Sequence, residues 1–398
     1  MFNKEMYNLG NNRSVIRELF EYGKIRAEKL GADKVYDFSI GNPSVPAPKK
    51  INETIKRLVD TVESTTLHGY TSAQGDPNVR NAIAENLNKR FDAEYNKDLI
   101  YMTCGAAAGL AISLKALIED RKEECRDEVV LIAPYFPEYT VFVKSAGGTP
   151  VAVPFDGNFQ IDFEALKGAI TKNTKAIIVN SPNNPCGVIY KRETLTRLAE
   201  VLNECEGKFG HPIFIIADEP YRELAYDGIE VPFIPSIYKN TLLCYSFSKS
   251  LSLPGERIGY LAVSPKCECA QELYYAIMGA GRALGYICAP TLFQYVVAEC
   301  TDSRPNIGAY DENRNLLYGA LTKIGFECVH PSGAFYLFVK SPSGDGNEFS
   351  ERAKKHGLLI VPADSFAASG WVRIAYCVSK DMILRALPAF EQLYKEYV

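Results

Sequence analysis

The chain has 398 residues, 47% of them hydrophobic, which is enough for a substantial core and excludes an intrinsically disordered polypeptide. Its 44 basic and 48 acidic residues leave a net charge of −4. That balance argues against a general binder of nucleic acid, though not against a small anion held in a local pocket.

At its start, MFNKEMYNLGNNRSV has no apolar signal core, and no uncharged apolar run along the chain reaches the length of a membrane span. Eleven cysteines are scattered without a C-x-x-C, and only four histidines are present. The closest pair, Cys267 and Cys269, has the spacing of neither a zinc knuckle nor a redox motif, so no metal site is expected. Free thiols in a reduced compartment are the simplest reading, hence a cytoplasmic protein with no membrane and no nucleic-acid partner.

In chain order, residues 13–30 place Ile16, Leu19, Phe20 and Leu30 at helical spacing, with Gly31 as a stop. VYDFSI follows as a strand ending at Gly41-Asn42-Pro43. Asp76-Pro77 reads as a cap and a first-turn proline for a helix reaching residue 91. Apolar runs then alternate with helical stretches: LIYMT (99–103), VVLIA (129–133), AIIVN (176–180), PIFIIAD (212–218), TLLCYSFS (241–248) and IGYLAV (258–263). They lack in–out alternation, which predicts α/β architecture, with a mainly parallel sheet sandwiched by helices. After about residue 286 come two helical stretches (291–301 and 311–323), then short strands in FECVH, AFYLFVK, LLIVP and WVRIAYC, and a last helix over 380–396. These predict a smaller α+β domain. Gly344-Asp345-Gly346-Asn347 reads as a surface loop. The expected division is an arm with part of the small domain over 1–45, a large domain over 46–285 and a small domain over 286–398.

Open parallel sheets bind ligands beyond the carboxyl ends of their strands. The residues that follow the apolar runs therefore belong together. Gly105, Ala106 and Ala107 present backbone N–H groups at a helix N-terminus, ready for an anion. The hydroxyls of Ser246 and Ser248 and the fork of Arg257 complete a phosphate cup. Lys249, beside that cup, is placed to condense with an aldehyde on a phosphorylated ligand. Asp218 ends a buried strand and needs a partner, which a protonated ring nitrogen would be. Phe136 offers a flat face for stacking. Taken singly, each has a structural reading. The Gly105–Gly109 run fits close helix–sheet packing, Asn183-Asn184-Pro185 fits a turn, Asp218 fits a cap or ion pair, and Lys249 fits a solvated lysine. Their recurrence at successive strand ends favours one site.

The ordered set resembles the class I/II pyridoxal-phosphate-dependent aminotransferases of fold type I, the aspartate aminotransferase-like superfamily. Tyr70-x4-Gly75-x4-Arg80, Asn183-Asn184-Pro185-x-Gly187, Asp218-Glu-x-Tyr221, S-F-S-K-S-L-S-L-P-G-E-R-I-G-Y from Ser246 and Arg373-Ile-Ala stand in the family's order and spacing. The resemblance covers nearly the whole chain. It implies an enzyme that moves an amino group between an L-amino acid and a 2-oxo acid, using pyridoxal 5'-phosphate bound in the large domain. It further implies a homodimer with its active sites at the subunit interface. By position, Lys249 is the lysine that carries the cofactor and shuttles the proton. Asp218 pairs with the pyridine nitrogen, and Tyr221 and Asn184 bond the ring's phenolic oxygen. Gly105, Ala106, Ala107, Ser246, Ser248 and Arg257 hold the phosphate, with Tyr70 reaching in from the partner subunit, and Phe136 stacks on the ring. Arg373 clamps the substrate α-carboxylate, assisted by Asn184 and the backbone at Gly41. Two positions depart from the family pattern: Cys186 stands where threonine is common, and Ala107 where a polar side chain often meets the phosphate.

Arg282 falls near an arginine that dicarboxylate-specific relatives use for the distal carboxylate. An acidic donor, aspartate or glutamate, is therefore one expectation. The other treats Arg282 as a rim arginine, with Ile16, Tyr135, Tyr139 and Tyr336 lining an apolar or aromatic pocket. C–S lyases, decarboxylases and cyclopropane-forming synthases of the same fold remain alternatives. A non-enzymatic ligand-sensing domain is opposed by the start of the pattern near residue 14, which leaves no room for a basic helix-turn-helix in front.

Overall fold

The computed structural model describes residues 2–11, 14–119 and 125–398. In chain order its strands are β1 (Tyr36–Asp37), β2 (Ile100–Thr103), β3 (Glu128–Ile132), β4 (Thr149–Val153), β5 (Thr174–Asn180), β6 (Phe214–Asp218) and β7 (Thr241–Ser246). They continue as β8 (Gly259–Val263), β9 (Cys328–Val329), β10 (Tyr336–Lys340), β11 (Leu358–Leu359), β12 (Val361–Pro362) and β13 (Trp371–Ala375).

Seven of them form one sheet in the order β2-β8-β7-β6-β5-β3-β4. The neighbours from β7 through β4 all pair in parallel. Strand β8 alone runs against its neighbours, antiparallel to both β2 and β7. The sheet is thus mostly parallel, and every residue of β2, β6, β7 and β8 is buried. Burial on both faces is the reason these strands read as unbroken apolar runs. Strand β4, TPVAV, escaped that reading because it is a half-exposed edge and carries no such run. The fragment Phe247-Ser248 leaves the predicted strand, because the chain turns there into a one-turn helix, Phe247–Ser250.

The second layer of structure is the antiparallel sheet β12-β13-β10-β9, with the short parallel pair β1–β11 beside it. Its apolar cluster includes Phe38, Phe335, Phe349, Ile374 and Phe390. Helix Val15–Leu30 joins this part of the molecule through Leu19, which packs in a cluster with Val361 and Phe366. Helix Thr291–Glu299 buries Val296 and Val297 in the main cluster under the large sheet. The stretch Gly344–Asn347 is not wholly a loop. Asp345 caps helix Gly346–Lys355 by accepting bonds from the N–H groups of Asn347 and Glu348. The Asp345…Glu348 spacing is a capping-box pattern that the adjacent glycines obscured.

All eleven cysteines are free thiols. Among the described residues no helix is long and apolar enough to cross a membrane.

Candidate active site

The carboxyl ends of β2, β5, β6 and β7 open on a cavity of about 420 Å³. Each supplies its side chains by a short local device. Strand β7 ends at Ser246, whose hydroxyl caps the one-turn helix by accepting from the Ser248 N–H at 3.2 Å. The hydroxyls of Ser246 and Ser248 lie 2.8 Å apart, and the same turn aims Lys249 into the cavity. The guanidinium of Arg257 donates to Ser248 Oγ at 3.5 Å and to the Pro254 carbonyl at 2.9 Å. Across from them, β2 runs through Cys104-Gly105 into helix Ala106–Leu117, and Ala106 and Ala107 line the cavity. Gly105 has φ +81°, and a Cβ there would lie 2.7 Å from Arg257 Nη2. That φ favours glycine, and any side chain there would have to displace the arginine.

Asp218 closes β6. Asn180, its Cα partner on β5, donates to the Asp218 carbonyl at 2.8 Å and accepts from the Asn184 N–H at 2.8 Å. One carboxylate oxygen, Oδ2, accepts from the Tyr139 hydroxyl. The other, Oδ1, is buried with no hydrogen-bond partner among the described residues. Burial pushes this carboxyl up to about 7, against the opposing pull of the Tyr139 bond. Lys249 moves the other way. Burial, with Arg373 and Arg257 nearby, brings its ammonium down to about 8, and Nζ donates to the Gly41 carbonyl at 2.6 Å. Tyr221, at the turn after β6, shares a 2.9 Å hydrogen bond with Tyr336. Phe136 lines the cavity and meets Tyr139 edge-on at 5.7 Å.

Arg373 enters from the smaller sheet. Strand alternation sends Val372 and Ile374 into that sheet's core and Arg373 to the opposite face. It is only 2% exposed. Nη1 donates to Asn184 Oδ1 at 3.0 Å, Nη2 donates to the Ser39 carbonyl at 2.6 Å, and Nε has no partner. All of its hydrogen-bond partners are neutral, so a buried cation stands without a counter-charge among the described residues.

The chain from 33 to 390 matches the family of class I and II aminotransferases. The protein belongs to that family. An aminotransferase from Eubacterium rectale of solved structure is 56% identical, with a TM-score of 0.97 over 100% of this chain and 99% of that one. A probable aspartate aminotransferase of Methanocaldococcus jannaschii is 31% identical over 96% of this chain and 97% of its own length. Aromatic-amino-acid aminotransferase 2 of Thermococcus litoralis is 29% identical over 97% and 96%.

Aminotransferases of this family depend on pyridoxal phosphate, and the residues present fit that group. The orphaned Asp218 Oδ1 suits a protonated ring nitrogen. The paired serines, the first-turn N–H groups after Gly105 and the Arg257 guanidinium form a donor set suited to a phosphate.

Of the site residues that the family resemblance implies, all but Gly105, Tyr70 and Arg282 line one cavity of the aminotransferase, and Gly105 adjoins it against Arg257. Tyr70 and Arg282 do not line it. Tyr70 is 98% exposed, on a loop whose Thr71 backbone carbonyl accepts from Cys288 Sγ at 3.3 Å. Arg282 is exposed near the end of helix Ala270–Leu284. Tyr139 and Tyr336 read as pocket walls in the sequence, but both hydroxyls make specific bonds inside the site. Arg17, Ser39 and Asn180 were missed. A polar residue closing the run AIIVN was the available signal for Asn180; none exists for the Ser39 carbonyl.

Proposed function

We propose that this aminotransferase binds pyridoxal phosphate through Lys249 and transfers amino groups from an L-amino acid to a 2-oxo acid. The observation that carries the proposal is the pairing, in one cavity, of a buried carboxylate with a free oxygen at Asp218 and a lysine amine lowered to about 8. When bound, the cofactor supplies an electron sink for the negative charge that develops at the substrate's α-carbon.

The chain's residues do the rest. Asp218 would keep the ring nitrogen cationic, its unused oxygen accepting the ring N–H. Ser246, Ser248, Arg257 and the backbone at Gly105, Ala106 and Ala107 hold the phosphate, while Phe136 flanks the ring. Tyr221 and Asn184 bond the phenolic oxygen. Arg373 takes the α-carboxylate in a bidentate grip, so the incoming anion supplies the counter-charge that the buried guanidinium lacks. Lys249 Nζ then turns from the Gly41 carbonyl and moves the proton off the α-carbon. A base whose pKa lies near the working pH suits that task.

Aspartate or glutamate is the donor class we propose, in keeping with the aspartate aminotransferase name of the archaeal relative. A cytoplasmic homodimer, with Tyr70 completing the partner's phosphate site and Arg282 at the interface, is part of the same proposal. So is a division into the segments 1–45, 46–285 and 286–398, with helix Thr291–Glu299 of the last packed against the large sheet's core.

A screen of the common amino acids against holoenzyme, read by the cofactor's absorbance and by 2-oxo acid released, tests this reading. An acidic donor should shift the spectrum and yield its oxo acid. Pyruvate and ammonia from cysteine conjugates, without amino transfer, would establish a lyase instead.

A further inference from the structure

Four cationic side chains line the cavity: Arg17, Lys249, Arg257 and Arg373. On the reading just proposed, on which this inference rests, Arg257 meets the phosphate, Lys249 the cofactor and Arg373 the α-carboxylate. Arg17 is left over. It has no hydrogen bond or ion pair with any described residue, and its side chain stands exposed at the cavity mouth.

We infer that Arg17 receives the second carboxylate of an amino dicarboxylate donor. Its place is set by packing that also serves Arg373. Two residues further along helix Val15–Leu30, Leu19 is buried in the cluster that holds Phe366. The Phe366 ring lies 5.2 Å from the Arg373 guanidinium. Further along the same helix, a Cβ at Gly23 would lie 2.6 Å from Leu359 Cδ1, so the helix sits tightly against β11. The first turn is thereby held on the same wall as the α-carboxylate clamp.

The apolar part of the cavity lining, Ile16, Ile40, Leu110 and Phe142, offers a side-chain carboxylate nothing to pair with. A charged group entering there without a partner would be strongly disfavoured. The Arg17 fork removes that penalty and fits a carboxylate bidentately. With a neutral donor, Arg17 stays in water at little cost. The residue thus confers a preference for acidic donors and does not exclude others. Arg282, by contrast, does not line this cavity.

The test compares kcat/KM for aspartate and for alanine in holoenzyme, in wild type, Arg17→Gln, Arg17→Lys and Arg282→Gln. Titration calorimetry with maleate, an unreactive dicarboxylate, runs in parallel. Arg17→Gln should lower the aspartate-to-alanine ratio by about 10–100-fold, mainly through KM, and weaken maleate by a similar factor. Arg17→Lys should recover part of both. An unchanged ratio in Arg17→Gln, the same loss from Arg282→Gln alone, or a wild type that does not bind maleate would overturn the inference. A wild type that transfers from no amino acid would defeat the proposed function, while the maleate titration would still decide the place of Arg17.

Discussion

Asp218 carries a measurable liability when the cofactor is stripped away. Its folded pKa of about 7 stands above the ordinary aspartate value of 3.8 because burial disfavours the charge. Between those values the native chain holds a proton that the unfolded chain has lost. The carboxyl's contribution to stability is therefore retained below about pH 4 and is lost as pH rises toward 7. Urea denaturation of cofactor-free protein should show wild type losing stability relative to Asp218→Asn across that window. The difference should be on the order of a few kcal/mol. A parallel pair of curves would mean that Asp218 is not buried as an isolated acid. Lys249, Arg373 and Asp218 were all legible in the sequence, because each stands at a fixed spacing within a short motif. Their bonding partners were not. Tyr139 lies 79 residues from Asp218, and Gly41 lies 208 residues from Lys249. Nothing local marks such pairs.

At the scale of elements, the strand ends do the positioning. The turn from β2 into helix Ala106–Leu117 depends on Gly105, whose φ of +81° is one that residues with a side chain rarely adopt and whose Cβ would have to displace the Arg257 guanidinium. Gly105→Ala should strain the backbone by about 1–3 kcal/mol and push Arg257 from its place beside Ser248. The expected result is a cofactor affinity reduced about tenfold or more, read by equilibrium dialysis of pyridoxal phosphate. Unaltered affinity would remove this turn from the cofactor site. Elements buried on both faces were readable as apolar runs. Strand β4, half exposed, and helix Gly346–Lys355, introduced by Gly344-Asp345-Gly346, were not, because their local sequences favour other states about as well. The reversed direction of β8 was equally hidden, since an apolar run has no polarity.

For the whole molecule, the exposed aromatic and aliphatic side chains of Tyr70, Leu284, Tyr286 and Ile287 are what a second subunit would cover. Mixing Lys249→Ala chains with Tyr70→Ala chains tests whether a site is shared. If Tyr70 serves the partner's cavity, each hybrid dimer regains one intact site, and activity should exceed that of either variant alone. Absence of any gain, with dimers present by light scattering, would place Tyr70 outside the partner's site. The sequence by itself determined the family, the mostly parallel sheet and the chemical character of the cavity, because those depend on short spacings and on burial that writes itself into apolar runs. Tertiary structure alone decided which charges are left uncompensated among the described residues: the free oxygen of Asp218, Arg373 with only neutral hydrogen-bond partners, and the unpaired Arg17 at the mouth. Whether a charge is satisfied depends on groups brought together from distant parts of the chain, and no local pattern records that meeting.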